Sequence, residues 1–248
     1  MSPFELALAL GAVAGLADLL GGALVTGPRR WDRAVLQYFL ALGAGFMLSA
    51  AFLRMVPESL EKVSHAYLYV LMGYFAVHLS EHTLTPHFHF GEEVHEDALV
   101  HPAVGYLALA GLGIHTFFDG VTIASGFLIS QPLGFILFGA VLLHKLPEGF
   151  AMASLILASG GSRRVALLAS GALGVSTVCG VALMSQFSGV VGQALAISAG
   201  VTIYVAASDL IPEVNKERGW GVALAVFGGV LLYYAAEQVL EVAGFHGH

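Results

Sequence analysis

Long hydrophobic runs separated by short polar connections dominate the chain, and eight of them stand out: residues 4–26, 33–56, 65–82, 102–128, 132–158, 164–187, 189–212 and 219–241. Their lengths approach the 20 or so apolar residues with which an α-helix crosses a hydrocarbon core. The pattern predicts an all-α polytopic membrane protein: a single transmembrane domain over residues 1–248 with eight membrane-spanning helices. The first run begins almost at Met1, lacks a basic leader and continues through Asp18 without a small-residue cleavage site. It reads as the first span rather than as a removable signal peptide.

Composition narrows the function classes. Charged residues make up only 11% of the chain and hydrophobic residues 57%, against roughly 25% charged in a typical soluble domain. The few cations concentrate in alternate connections. Arg29, Arg30 and Arg33 follow the first run, Arg163 and Arg164 the fifth, and Lys216 and Arg218 the seventh, which accounts for seven of the ten Lys and Arg residues. Positively charged loops stay in the cytoplasm, so both termini are expected outside it, in a multi-pass protein of the plasma membrane. With its cations committed to topology and a net charge of −7, the chain is expected to meet the lipid bilayer and no nucleic acid. The single Cys179 excludes an intrachain disulfide and reads as a small packing residue. Tyr233 and Tyr234 fit an aromatic belt at the membrane interface, and Asp18 in the first run either satisfies a neighbouring helix or lines a path.

Glycine patterns such as Gly11-Ala-Val-Ala-Gly15 and Gly171-Ala-Leu-Gly174 predict close helix–helix approach. Pro57, Pro147 and Pro212 each precede a glutamate. Only Pro147 lies deep in a run, where it removes the backbone bond to the carbonyl of Leu143 and bends the fifth span. Residues 44–58 and 199–213 align without a gap and match at five of fifteen positions. These segments fall in runs that cross in opposite senses, so the repeat reads as inverted, an arrangement common in secondary transporters. Shared helix-end chemistry between unrelated apolar helices is the competing explanation.

Chemistry concentrates in two segments, His115-Thr-Phe-Phe-Asp119-Gly120 and His144-Lys-Leu-Pro-Glu148-Gly149, in the fourth and fifth runs. Residues i and i+4 lie one above the other on a helix, so each segment offers an imidazole beside a carboxylate. An Asp at the centre of a membrane helix costs about 2.5 to 3.5 kcal/mol on insertion scales, and such residues mark functional sites. His115, Asp119, His144 and Glu148 together supply the nitrogen and oxygen ligands of a four-coordinate divalent ion such as zinc. Two carboxylates balance that ion's charge.

Lys145 lies three residues before Glu148, within reach on the same side. Its ammonium stands where a second cation would sit, or pairs with Glu148 when the site is empty, or else snorkels or turns to another helix. Thr116, at the equivalent phase, either adds a hydroxyl to the site or bonds its own helix backbone. The strongly polar connection over residues 83–101, with its flanks, holds six of the eleven histidines: His78, His82, His87, His89, His95 and His101. It is expected in the cytoplasm, as a loose metal-binding tract or as a solvated charged loop.

The HTFFDG and HKLPEG segments, with the His-rich connection and AGVTIYVAASDLIPE in the seventh run, resemble the paired motifs of the ZIP (Zrt/Irt-like) metal transporter family. The resemblance implies that His115, Asp119, His144 and Glu148 form a central transport site, and that Met47, Ser208, Asp209 and Glu213 line the route. It implies that His78 and His82 receive metal on exit; as a pair flanking a loop they otherwise read as simply solvated. It further implies a 3+2+3 helix arrangement, often as a homodimer, and uptake of zinc, iron, manganese or cadmium as substrate rather than as catalytic cofactor. Lys145 and Thr116 depart from members that bind two ions, which points to one.

Two other functions compete. An intramembrane zinc hydrolase needs an open coordination position and a spare general base, and neither a spare base nor an HExxH motif is evident. A metal exporter would use the same ligands in the opposite direction. Transport without catalysis is the expectation.

Overall fold

Local sequence signals fix where several helices begin. Ser2 forms a capping box with Glu5, its hydroxyl 3.2 Å from the Glu5 amide and its own amide 2.8 Å from the Glu5 carboxylate, which starts helix α1 (Pro3–Thr26). Ser130 and Ser162 cap α5 (Gln131–Ala158) and α6 (Arg163–Met184) through their hydroxyls alone, which accept from the amides of Leu133 and Val165. The computed structural model describes residues 1–27, 33–84, 102–215 and 220–243, and among them all regular structure is helical. Arg29, Arg30, Lys216, Arg218 and residues 85–101 lie outside the described residues; Thr83 and Leu84, expected in the loop, end a helix instead.

The remaining helices are α2 (Arg33–Ala50), α3 (Ala66–Leu84), α4 (Pro102–Ile129), α7 (Val191–Tyr204) and α8 (Trp220–Val242). Both α2 and α7 continue past these bounds. Each passes through a π-helical stretch, Ala51–Met55 in α2 and Val205–Leu210 in α7, and resumes as Val56–Lys62 and Ile211–Asn215. The amides of Val56 and Ile211 bond five residues back, to Ala51 and Ala206. Each widened turn stands just before a proline, Pro57 or Pro212, whose ring would otherwise meet the carbonyl four residues earlier.

Among the described residues, seven helices are long and apolar enough to cross a membrane, and α3 has a shorter apolar stretch, Ala66–Ser80. Helix α1 packs on α5 and α6, and α6 packs on α4; α2 packs on α8, and α3 on α7. Exchanging α1 with α6, α2 with α7, α3 with α8 and α4 with α5 reproduces this set of neighbours. The close crossings repeat too: a Cβ on Gly229 would strike the Leu42 carbonyl where α8 meets α2, and one on Gly73 the Ile197 carbonyl where α3 meets α7. Helices α4 and α5 lie adjacent, each of 28 residues.

Two expectations change. Tyr233 does not join an aromatic belt but is fully buried, edge-on to Phe46 at 5.7 Å between ring centroids. Cys179 is exposed on the outside of α6 rather than packed inside.

Candidate metal centre

The i, i+4 spacing puts the imidazole and carboxylate of each motif on one face near the middle of α4 and α5, and the two faces meet. One ligand atom each from His115, Asp119, His144 and Glu148 lies within 4.8 Å of all the others, and all four residues are buried. Asp119 Oδ2 is 3.4 Å from His115 Nε2 and 3.3 Å from His144 Nε2; Glu148 lies 4.0 Å from each ring. A tetrahedral zinc with bonds of about 2.1 Å spaces its ligands about 3.4 Å apart. The Asp119 edges already match, and the Glu148 edges close by small rotations.

Ring orientation supports the same chemistry. His144 Nδ1 lies 3.0 Å from the Ala140 carbonyl, which accepts only, so Nδ1 carries a hydrogen and holds the ring with Nε2 turned to Asp119, 3.3 Å away, the nitrogen that would meet a cation. Neither nitrogen of His115 has a hydrogen-bond partner, nor does Glu148 Oε1. Buried imidazole nitrogens and a carboxylate oxygen left without hydrogen-bond partners are the pattern a cation satisfies. The backbone near the carboxylates comes close because a glycine follows each: a Cβ on Gly149 would strike the Asp18 carbonyl of α1, and one on Gly120 the Thr177 carbonyl of α6.

Lys145 takes the site-facing alternative. It is fully buried rather than snorkelling, with Nζ 2.8 Å from Asp119 Oδ2 and 2.7 Å from Glu148 Oε2. Sequence reasoning left Asp18 undecided between another helix and the path; the structure sets it, also fully buried, 3.6 Å from Lys145 Nζ. A buried acid in α1 and a buried lysine in α5 are far apart in sequence. Their common signal is that each stands a few residues from a glycine, Gly21 or Gly149, at the α1–α5 crossing. Thr116 takes the backbone alternative, donating to the Gly113 carbonyl at 3.1 Å.

The other sequence-predicted residues lie outside the four-ligand group. Met47 is buried in the apolar cluster with Phe46, Ala140 and Tyr204. Ser208 lies 3.5 Å from the Tyr74 hydroxyl, Asp209 is buried and Glu213 half-buried at the widened end of α7. His78 and His82 are exposed near the end of α3, their rings 4.2 Å apart.

Comparison with known proteins decides the family. The profile of the ZIP Zinc transporter family matches residues 5–101 and 89–237, nearly the whole chain. The chain belongs to the ZIP family. Among ZIP relatives, it is 29% identical over 224 residues to the zinc transporter ZupT of Enterobacter sp. (strain 638), covering 83% of this chain and 85% of that one. It is 30% identical over 126 residues to the zinc transporter foi of Drosophila melanogaster, covering 49% of this chain and 18% of that one. It is 35% identical over 125 residues to the zinc transporter SLC39A7 of Homo sapiens, covering 46% of this chain and 26% of that one. This ZIP chain therefore spans about a quarter or less of the length of the two animal relatives. All four candidate ligands fall inside the second matched ZIP segment.

Proposed function

We propose that this ZIP protein carries zinc, with iron, manganese or cadmium as alternative cargo, across the plasma membrane into the cytoplasm through the His115, Asp119, His144 and Glu148 cluster. One observation carries the reading: four ligand atoms from two adjacent helices converge within 4.8 Å, buried midway along those helices. Ionisable residues buried inside a membrane bundle mark ion pathways, and here two carboxylates and two imidazoles share a single ammonium. Zinc is favoured by the nitrogen and oxygen donor set and by the names of the relatives.

The proposal includes eight spans in a 3+2+3 arrangement built from two inverted three-helix units, α1–α3 and α6–α8, around α4 and α5. The two-fold pattern of helix neighbours and the paired π-helical stretches support it. Both termini lie outside the cytoplasm by the distribution of basic residues. Met47, Ser208, Asp209 and Glu213 line the route, His78 and His82 take ions at the cytoplasmic end, and the working unit is a homodimer.

The test is uptake into proteoliposomes across a panel of divalent ions. Saturable zinc uptake is expected, abolished by His144→Ala and by Glu148→Ala in protein that still elutes as a folded species in detergent. Glu148→Gln is expected to be nearly as damaging, because the lost charge leaves the ion uncompensated. Wild-type uptake by both alanine variants would remove the cluster from the mechanism.

A further inference from the structure

The cluster holds one more charge than four-ligand coordination uses. A divalent ion between two carboxylates and two neutral imidazoles is balanced, and the ammonium of Lys145 adds a surplus. Asp18 supplies the missing negative charge from α1. Its carboxylate is fully buried, neither oxygen accepts a hydrogen bond, and Lys145 Nζ stands 3.6 Å away. That is an ion-pair distance just beyond hydrogen-bond length. An unbonded buried carboxylate is costly unless another state of the molecule satisfies it.

We propose that Asp18 is the second seat of the Lys145 ammonium: Lys145 bridges Asp119 and Glu148 in the ion-free chain and withdraws to Asp18 as a divalent ion enters between them. This deepens, and rests on, the metal-transport reading above. The movement is small, because closing 3.6 Å to hydrogen-bond length needs about 1 Å at the end of a flexible side chain, with the helices fixed. Charge then balances. Three carboxylates and one ammonium oppose the two positive charges of the ion, and the ammonium remains paired whether the site is full or empty. Asp18 touches no ion, so it is a positioning residue acting through Lys145.

The other half of the bundle offers an internal comparison. Under the two-fold exchange of helices, the positions equivalent to Lys145 and Asp18 are Thr116 and Thr177, which occupy the same places beside Gly120 and Gly180. Their hydroxyls bond their own helices, to the carbonyls of Gly113 and Leu173 at 3.1 and 3.4 Å. The charge exchange belongs to one half alone.

The experiment measures zinc binding by calorimetry on the full chain in detergent for the wild type, Asp18→Asn, Lys145→Met and the double variant. Asp18→Asn is expected to weaken zinc binding at least about ten-fold, since the ammonium loses its alternative seat, and to do so by less than about three-fold when Lys145→Met is already present. Wild-type affinity in Asp18→Asn, or an equal penalty in both backgrounds, would overturn the proposal, the second outcome assigning Asp18 to packing alone. Should Asp18→Asn not fold, a zinc-loaded structure of the unaltered chain decides: Nζ hydrogen-bonded to Asp18 and released from Glu148 supports the exchange, and Nζ still bridging Asp119 and Glu148 beside bound zinc refutes it. Failure of the underlying site is read separately, as undiminished zinc binding by His115→Ala and His144→Ala.

Discussion

Asp119 Oδ2 is the most contested atom in the molecule, within 3.4 Å of two imidazole nitrogens and 2.8 Å of an ammonium. A second divalent ion about 4 Å from the Lys145 ammonium would be repelled by on the order of 8 kcal/mol at an effective dielectric of 20. A single ion in the site is therefore expected, and Lys145→Asn is expected to raise zinc affinity or stoichiometry in equilibrium dialysis; an unchanged isotherm would count against the charge argument. The glycines beside the carboxylates invite a second measurement. Gly149→Ala and Gly120→Ala would drive a methyl group into the α1 and α6 backbones and are expected to destabilise the fold by about 1 to 3 kcal/mol in thermal unfolding. Gly113→Ala meets nothing within 4 Å and is expected to be neutral or slightly stabilising. At this scale the sequence revealed the ligand faces and the reach of Lys145, because both follow from helical periodicity. It did not reveal the partner of Asp18, because that pairing depends on where α1 crosses α5.

Helices α2 and α7 illustrate the same division one level up. The fifteen-residue similarity between their ends was visible, and so were the prolines, but the shift from α to π hydrogen bonding was not, since a register change has no compositional mark. The widened turn in α2 sets the phase of everything after it. Deleting one residue from Ala51–Met55 should restore α geometry and rotate the following segment by about 100°. That rotation moves the fully buried Ser59 and breaks the 3.9 Å approach of Arg54 to Glu237 of α8. The expected outcome is a lower melting temperature in detergent and loss of zinc uptake, and a deletion variant with wild-type melting and uptake would contradict the role given to the turn. The exposed edge of Tyr234 beside buried Tyr233 shows why the aromatic belt was misjudged: adjacent residues on a helix face about 100° apart, and only the packing partner reveals which one turns inward.

For the whole molecule, orientation rests on charges that lie mostly in connections outside the described residues, so it calls for a chemical test. In a Cys179→Ala background, an impermeant thiol reagent applied to intact cells should label Ser130→Cys, between α4 and α5, and leave Gly161→Cys, between α5 and α6, untouched; the reverse would invert the topology. Deleting residues 86–96 should preserve uptake while altering its response to cytoplasmic metal, because a polar connection can buffer ions but cannot form the lipid-spanning path. Complete loss of uptake in a folded deletion would give the loop a larger part. The two-fold exchange of helices has a last consequence. If the two halves were chemically identical, an ion at the centre would meet the same surroundings whichever way it left, and loading from either face would be equally fast. A lysine and an aspartate on one side, and two threonines on the other, remove that equivalence. In the proposed carrier this lopsidedness cannot drive ions uphill, but it is expected to make the barriers to entry from the two faces unequal.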